Sequence, residues 1–133
     1  MLSKKIQNLF LISSILFIAH GLEEYFTGFY KVDSLFYFVF KYFESMSVFQ
    51  ATFLVFQIML WILLAISYAL IFKKNWLLGL VALPAVACFI EVHHLVKAAI
   101  RWAYYPGSIT ALILLIVGYF YWKELFKLYK TKI

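Results

Sequence analysis

Charge is scarce in this chain. Only 14 % of its 133 residues are Asp, Glu, Lys or Arg, and just six are acidic, against about 25 % charged in an ordinary soluble domain. Cys88 is the only cysteine, which excludes an internal disulfide and leaves its thiol in an apolar run as a packing group. There is no low-complexity tract and no basic motif interleaved with aromatics, so nucleic acid is not an expected partner. What is plentiful is apolar surface: 66 % of residues are hydrophobic, 22 % are aromatic, and the mean hydropathy is +0.93. A soluble fold of this size cannot hide that much. The composition describes an integral membrane protein with interfacial aromatic belts.

Four runs are long enough to cross roughly 30 Å of hydrocarbon, which takes about 20 residues: residues 6–27, 47–72, 76–100 and 107–122, with approximate ends. An open sheet would leave its backbone unpaired in lipid. The expected architecture is therefore all-α, a four-transmembrane-helix bundle making one integral membrane domain over residues 1–133. Lys4 and Lys5 ahead of an apolar run imitate a signal peptide, but cleavage after Ala19 would set Phe17 where a small residue is needed. An uncleaved first helix is expected instead. Pro84 should kink the third helix, because it removes a donor and crowds the carbonyl four residues earlier. Between the first two helices, Asp33, Tyr37, Lys41 and Glu44 recur at helical spacing among Leu35, Phe36, Phe38, Val39, Phe40 and Phe43. That pattern predicts a short interfacial amphipathic helix, with an aromatic-anchored connector as the alternative.

Lysine and arginine set the expected orientation. Lys4, Lys5, Lys73, Lys74, Lys123, Lys127, Lys130 and Lys132 fall on one side, and Lys31, Lys41, Lys97 and Arg101 on the other. Eight against four puts both termini in the cytoplasm of a multi-pass cell-membrane protein. The C-terminal lysines then lie against anionic lipid, so membrane lipid is an expected partner.

The few ionisable groups are not scattered. All three histidines and three of the six acids fall in two clusters inside apolar helices, His20-Gly21-Leu22-Glu23-Glu24 and Glu91-Val92-His93-His94. Such groups cost about 2.5–3.5 kcal/mol or more at a helix centre in a bilayer, so they mark a site. His20 lies 14 residues past Ile6 and Glu91 lies 15 past Trp76. At about 1.5 Å per residue, both stand roughly 21–23 Å from the same membrane edge. Helical spacing puts His20, Glu23, Glu24 and Thr27 on one side of the first helix, and Glu91 with His94 on one side of the third.

An imidazole and a carboxylate three apart on each of two facing helices is a ligand arrangement of metal-binding bundles. The candidate ligands are His20, Glu23, Glu24, Glu91 and His94, with Glu24 or Glu23 also the candidate catalytic acid or base. Imidazole and carboxylate without thiolate favour divalent Zn, Fe or Mn. His93, Gln57 and Thr27 are candidates for the surrounding shell; Gln50 and Gln57 otherwise read as helix-to-helix glue. Arg101 and Lys97, with Lys31, could meet an anionic head group near Tyr104-Tyr105-Pro106-Gly107-Ser108, which reads chiefly as a capping turn before the last helix.

The chain resembles the bacterial HXXEE membrane family, whose naming motif here reads His20-Gly21-Leu22-Glu23-Glu24, with the second cluster and the Tyr105-Pro106-Gly107 turn also similar. That family has no established activity. The resemblance implies that His20, Glu23 and Glu24 matter and supplies no reaction. Four functions stay open. The first is a metal-dependent enzyme, hydrolase or oxidase, acting on a lipid-like small molecule. The second is metal-free acid–base isomerisation of an isoprenoid-like lipid, the third a proton- or cation-coupled transporter, and the fourth a structural protein whose cluster only locks the fold.

Overall fold

The computed structural model describes residues 3–71 and 76–130. Lys73, Lys74 and Lys132 of the charge count lie outside that range. Among the described residues the regular structure is all helical: α1 (Lys4–Thr27), α2 (Phe29–Val32), α3 (Ser34–Phe40) with a 3₁₀ turn Lys41–Phe43, α4 (Val48–Ile71), α5 (Trp76–Ile90), α6 (Val92–Arg101) and α7 (Ser108–Lys130). Among the described residues four segments are long and apolar enough to cross a membrane: Lys4–Thr27, Val48–Leu70, Leu77–Arg101 and Ser108–Lys130.

Expected as one domain, the chain divides into two compact units, Met1–Phe29 with Val81–Ile133, and Tyr30–Leu80. In the second unit, α4 begins with a capping box. The Ser47 hydroxyl accepts from Gln50 N–H at 3.3 Å, and Gln50 Oε1 accepts from Ser47 N–H at 3.1 Å. Gln50 therefore closes its own helix end, where helix-to-helix glue was expected. The short helix between the first two spans is present as α3. Asp33 starts it rather than lining its polar face: its carboxylate accepts the N–H groups of Leu35 and Phe36 at 2.9 and 3.1 Å.

The first unit holds both ionisable clusters. Along α1 the buried residues are Ile6, Ser13 and His20, one every seven residues. Along α7 they are Ala111, Leu114, Gly118, Tyr121 and Leu125, which is again a heptad seam. Val81, Ala85 and Cys88 of α5 are buried with them. Small side chains let the backbones come close, and a methyl group added at Gly118 would stand 2.9 Å from Cys88 Cβ. Polar clamps join α1 to α7 at both ends of this antiparallel pair. Lys5 Nζ donates to Glu124 Oε1 at 2.8 Å near one end, and Glu23 meets the start of α7 at the other.

Two boundaries differ from the sequence expectation. α7 runs to Lys130 rather than 122; Lys, Glu and Leu there are good helix formers, so the helix outlasts its apolar stretch. In the third segment α5 passes through Pro84, and the interruption falls at Glu91. Around Pro84 the helix is supported from α7, since Tyr121 Oη donates to Val81 O at 2.8 Å and Trp122 Nε1 donates to Ala85 O at 2.9 Å.

Candidate metal centre

Glu91 sits in the break between α5 and α6. His94 N–H bonds Glu91 O at 3.2 Å, three residues back, in place of the α-helical partner Ile90 O. The Ile90 carbonyl so released is taken by the His93 ring, whose Nδ1 lies 3.0 Å from it. His93 thus mends the break, and its ring packs on His94 with centroids 3.9 Å apart. His93→Ala should cost about 1–2 kcal/mol by stranding that carbonyl. Thermal unfolding in detergent would show the loss, with the metal content of the folded protein unchanged.

The break lets Glu91 and His94 reach α1. His20 Nε2 lies 2.9 Å from Glu91 Oε2 and 3.7 Å from Glu24 Oε1. His94 Nε2 is 3.2 Å from each of the same two oxygens. The ligand atoms of His20, Glu91 and His94 all fall within 4.8 Å of one another. The side chains of His20 and His94 are 4 % and 0 % exposed, whereas those of Glu24 and Glu91 are 24 % and 18 % exposed. The imidazoles are sealed in and the carboxylates are reachable.

The other ring nitrogens decide which atoms carry protons. His94 Nδ1 is 2.6 Å from Pro106 O. A carbonyl only accepts, so Nδ1 carries the proton. His20 Nδ1 is 2.7 Å from Thr110 Oγ1. That hydroxyl has two acceptors in reach, Gly107 O at 3.3 Å and the much nearer Glu23 Oε2; its single hydrogen goes to Glu23, so it accepts from His20 and Nδ1 again carries the proton. In neutral imidazoles both Nε2 atoms are then bare, and both face carboxylate oxygens that are themselves acceptors. Buried His94 Nε2 lies 3.2 Å from each of its two carboxylate neighbours but has a well-directed hydrogen bond to neither. Acceptors this close are held together by protons or by a metal ion between them.

Gly107 roofs the two rings. Its φ is +83°, and a Cβ there would lie 2.8 Å from His94 Nδ1 and 2.9 Å from both His94 Cε1 and His20 Cε1. It is also the residue before α7 and has no side chain with which to cap that helix. Glu23 supplies the missing acceptor from α1, taking Ile109 N–H at 3.2 Å, Thr110 N–H at 2.9 Å and the Tyr104 hydroxyl at 2.8 Å. A carboxylate at a helix N-terminus is favourable both as a cap and toward the helix dipole. Burial first, and then that acceptor, raise the Tyr104 phenol above its ordinary value of 10. Its hydrogen bond is therefore intact at neutral pH and is lost only as pH climbs through the raised value.

The chain carries the motif letters in a folded, interlocked form, and the matching family model supplies the assignment. The model for proteins of unknown function with an HXXEE motif covers residues 11–122. The chain belongs to that family. No curated protein and no solved structure gives a match to it.

In this HXXEE protein the sequence-predicted residues separate. His20, Glu24, Glu91 and His94 come together. Glu23 does not join them: lying one position before Glu24, it points about 100° away around the helix and reaches α7. Thr27 turns its hydroxyl to Glu23 O at 2.6 Å and stands beside Tyr104. Gln57 lies on α4, in the other unit. Lys97 and Arg101 hold the buried ring of Tyr105, with Nζ and Cζ 5.4 and 4.9 Å from its centroid. Tyr105 and Phe29 in turn wall His94, their ring centroids 5.8 and 4.7 Å from its own. Sequence reasoning missed Thr110, Gly107 and the Pro106 carbonyl as parts of the site. The available signal was a helix starting at Gly107 without a cap of its own, together with a surplus acid one helix away.

Proposed function

We propose that this HXXEE-family protein is a membrane-embedded, divalent-metal-dependent enzyme acting on a lipid-like molecule, with His20, His94 and Glu91 as ligands. The observation that carries the reading is the sealed Nε2 of His94, 3.2 Å from each of two carboxylate oxygens and well directed at neither. Ligand atoms about 2.0–2.1 Å from a tetrahedral ion stand roughly 3.3–3.4 Å apart; Glu91 Oε2 lies 2.9 and 3.2 Å from the two ring nitrogens, and all three ligand atoms fall within 4.8 Å of one another. The second ring nitrogen of each imidazole donates to an oxygen, as metal-bound histidines do. Two histidines and one glutamate with an open position is a catalytic set. A divalent ion there would acidify a water and polarise a carbonyl or phosphoryl oxygen. Glu24, partly exposed and 3.2 Å from His94 Nε2, is placed to take a proton from an attacking group, which favours hydrolysis over oxidation.

The lipid-like substrate follows from location. The centre lies within segments able to cross a membrane, so an amphiphile reaches Glu24 and Glu91 more readily than a polar solute does. The lysine and arginine count supports a cell-membrane orientation with both termini cytoplasmic.

One distance favours a second reading. His20 Nε2 to Glu91 Oε2, at 2.9 Å, is also a normal charge-assisted hydrogen bond. Two imidazolium ions balancing two carboxylates would give a metal-free acid–base site suited to isomerising an isoprenoid-like lipid. Elemental analysis of purified protein, as isolated and after exposure to Zn, Fe or Mn, separates the two. About one ion per chain, abolished by His20→Ala, is expected; no stoichiometric metal under any condition would reject the first reading and leave the second.

A further inference from the structure

We infer that Glu23 and Thr110 form a positioning relay that fixes the proton of His20 on Nδ1 and aims its bare Nε2 at Glu91. The motif's two adjacent acids thus divide the labour. Glu24 faces the centre with His20, one helical turn along the same side. Glu23 faces α7, and everything it touches there is a donor: the N–H groups of Ile109 and Thr110, the Tyr104 hydroxyl and the Thr110 hydroxyl. An ionised carboxylate has no hydrogen to give, so the Thr110 hydrogen points at Glu23 and an oxygen lone pair points at His20, 2.7 Å away. The histidine at the head of the motif is oriented by the acid three residues later, by way of another helix. For His94 the Pro106 carbonyl does the same task directly. Neither Glu23 nor Thr110 need touch a metal or substrate.

As a statement about His20 the relay stands without a metal; as a statement about metal affinity it rests on the proposed centre. Nitrogen-15 NMR of the full chain in detergent, without added metal, reads the first part. His20 should show a slowly exchanging proton on Nδ1. Thr110→Val should lose it while the corresponding His94 signal persists, and Thr110→Ser should restore it. Finding the His20 proton on Nε2 alone in the unmodified chain, or an unchanged Nδ1 signal in Thr110→Val, would overturn the relay. Zinc titration reads the second part: Thr110→Val and Glu23→Ala should each weaken binding about 10–100-fold, as loss of a ligand-orienting partner does, with Thr110→Ser within about threefold of the unmodified protein. If the unmodified chain shows the Nδ1 proton and binds no zinc, the metal reading fails and the relay survives.

Discussion

Replacing Gly107 by alanine should destabilise the protein by about 2–5 kcal/mol and abolish metal binding at the proposed centre. Two causes add. A φ of +83° is the left-handed region, in which a Cβ crowds the following carbonyl and costs roughly 1–2 kcal/mol. The added methyl group would then lie 2.8–2.9 Å from atoms of both imidazoles. Neither ring can retreat without breaking its Nδ1 bond to Pro106 O or Thr110 Oγ1. Overpacking of this kind costs about 1–3 kcal/mol, and whole domains are stable by only about 5–15. Gly21 provides the control. It lies inside the motif, between His20 and Glu23, yet a Cβ there meets nothing within 4 Å. Gly21→Ala in the body of α1 should be neutral or stabilising by about 0.5–1 kcal/mol. Thermal unfolding and zinc titration of the pair would settle the comparison, and equal behaviour of the two variants would refute the packing argument.

Glu91→Gln should weaken zinc binding at least about a hundredfold, whereas Glu24→Gln should keep zinc and lose turnover. The difference comes from where each oxygen sits. Glu91 Oε2 lies 2.9 and 3.2 Å from the two bare nitrogens, closer to the pair of imidazoles than the other shared oxygen, Glu24 Oε1. Glutamine there preserves shape but gives up the negative charge that a divalent ion needs. Glu24 Oε1 lies nearer His94 than His20, at 3.2 against 3.7 Å, and its side chain is the more exposed of the two. It is better placed for proton transfer than for holding the ion. Calorimetric zinc titration of the two variants tests this. If Glu24→Gln loses zinc as completely as Glu91→Gln does, then Glu24 is a ligand and the base lies elsewhere.

Much of the fold could be read from the chain because bilayer helices obey simple rules: an apolar run of sufficient length is a helix, and an ionisable group within it is unusual. The depth count that put His20 and Glu91 level needed only the helical rise, and the two are 2.9 Å apart. Faces were harder. Glu23 and Glu24 both fall within an arc that spacing assigns to His20's side, yet one serves the cluster and the other α7. Spacing alone cannot choose between adjacent positions, because the choice depends on where a donor from another helix stands. His93, a candidate for the surrounding shell by its place in the sequence, mends the backbone instead, a role that depends on the helix breaking there. The break lies at Glu91, seven residues past the proline at which a kink was expected, and donors from Tyr121 and Trp122 support the helix around Pro84.

The amino-acid order by itself determined the all-helical class, the four long apolar segments and the two polar clusters, because hydrophobic run length and the price of charge in lipid are local properties. Only the tertiary structure decided which atoms meet. The roof over the imidazoles, the carbonyl and hydroxyl that fix their tautomers, and the parting of Glu23 from Glu24 all come from the turn into α7. That turn lies some 80 residues along the chain from the motif it completes. Hydrogen bonds between distant segments depend on packing geometry, and no spacing rule along one helix encodes that.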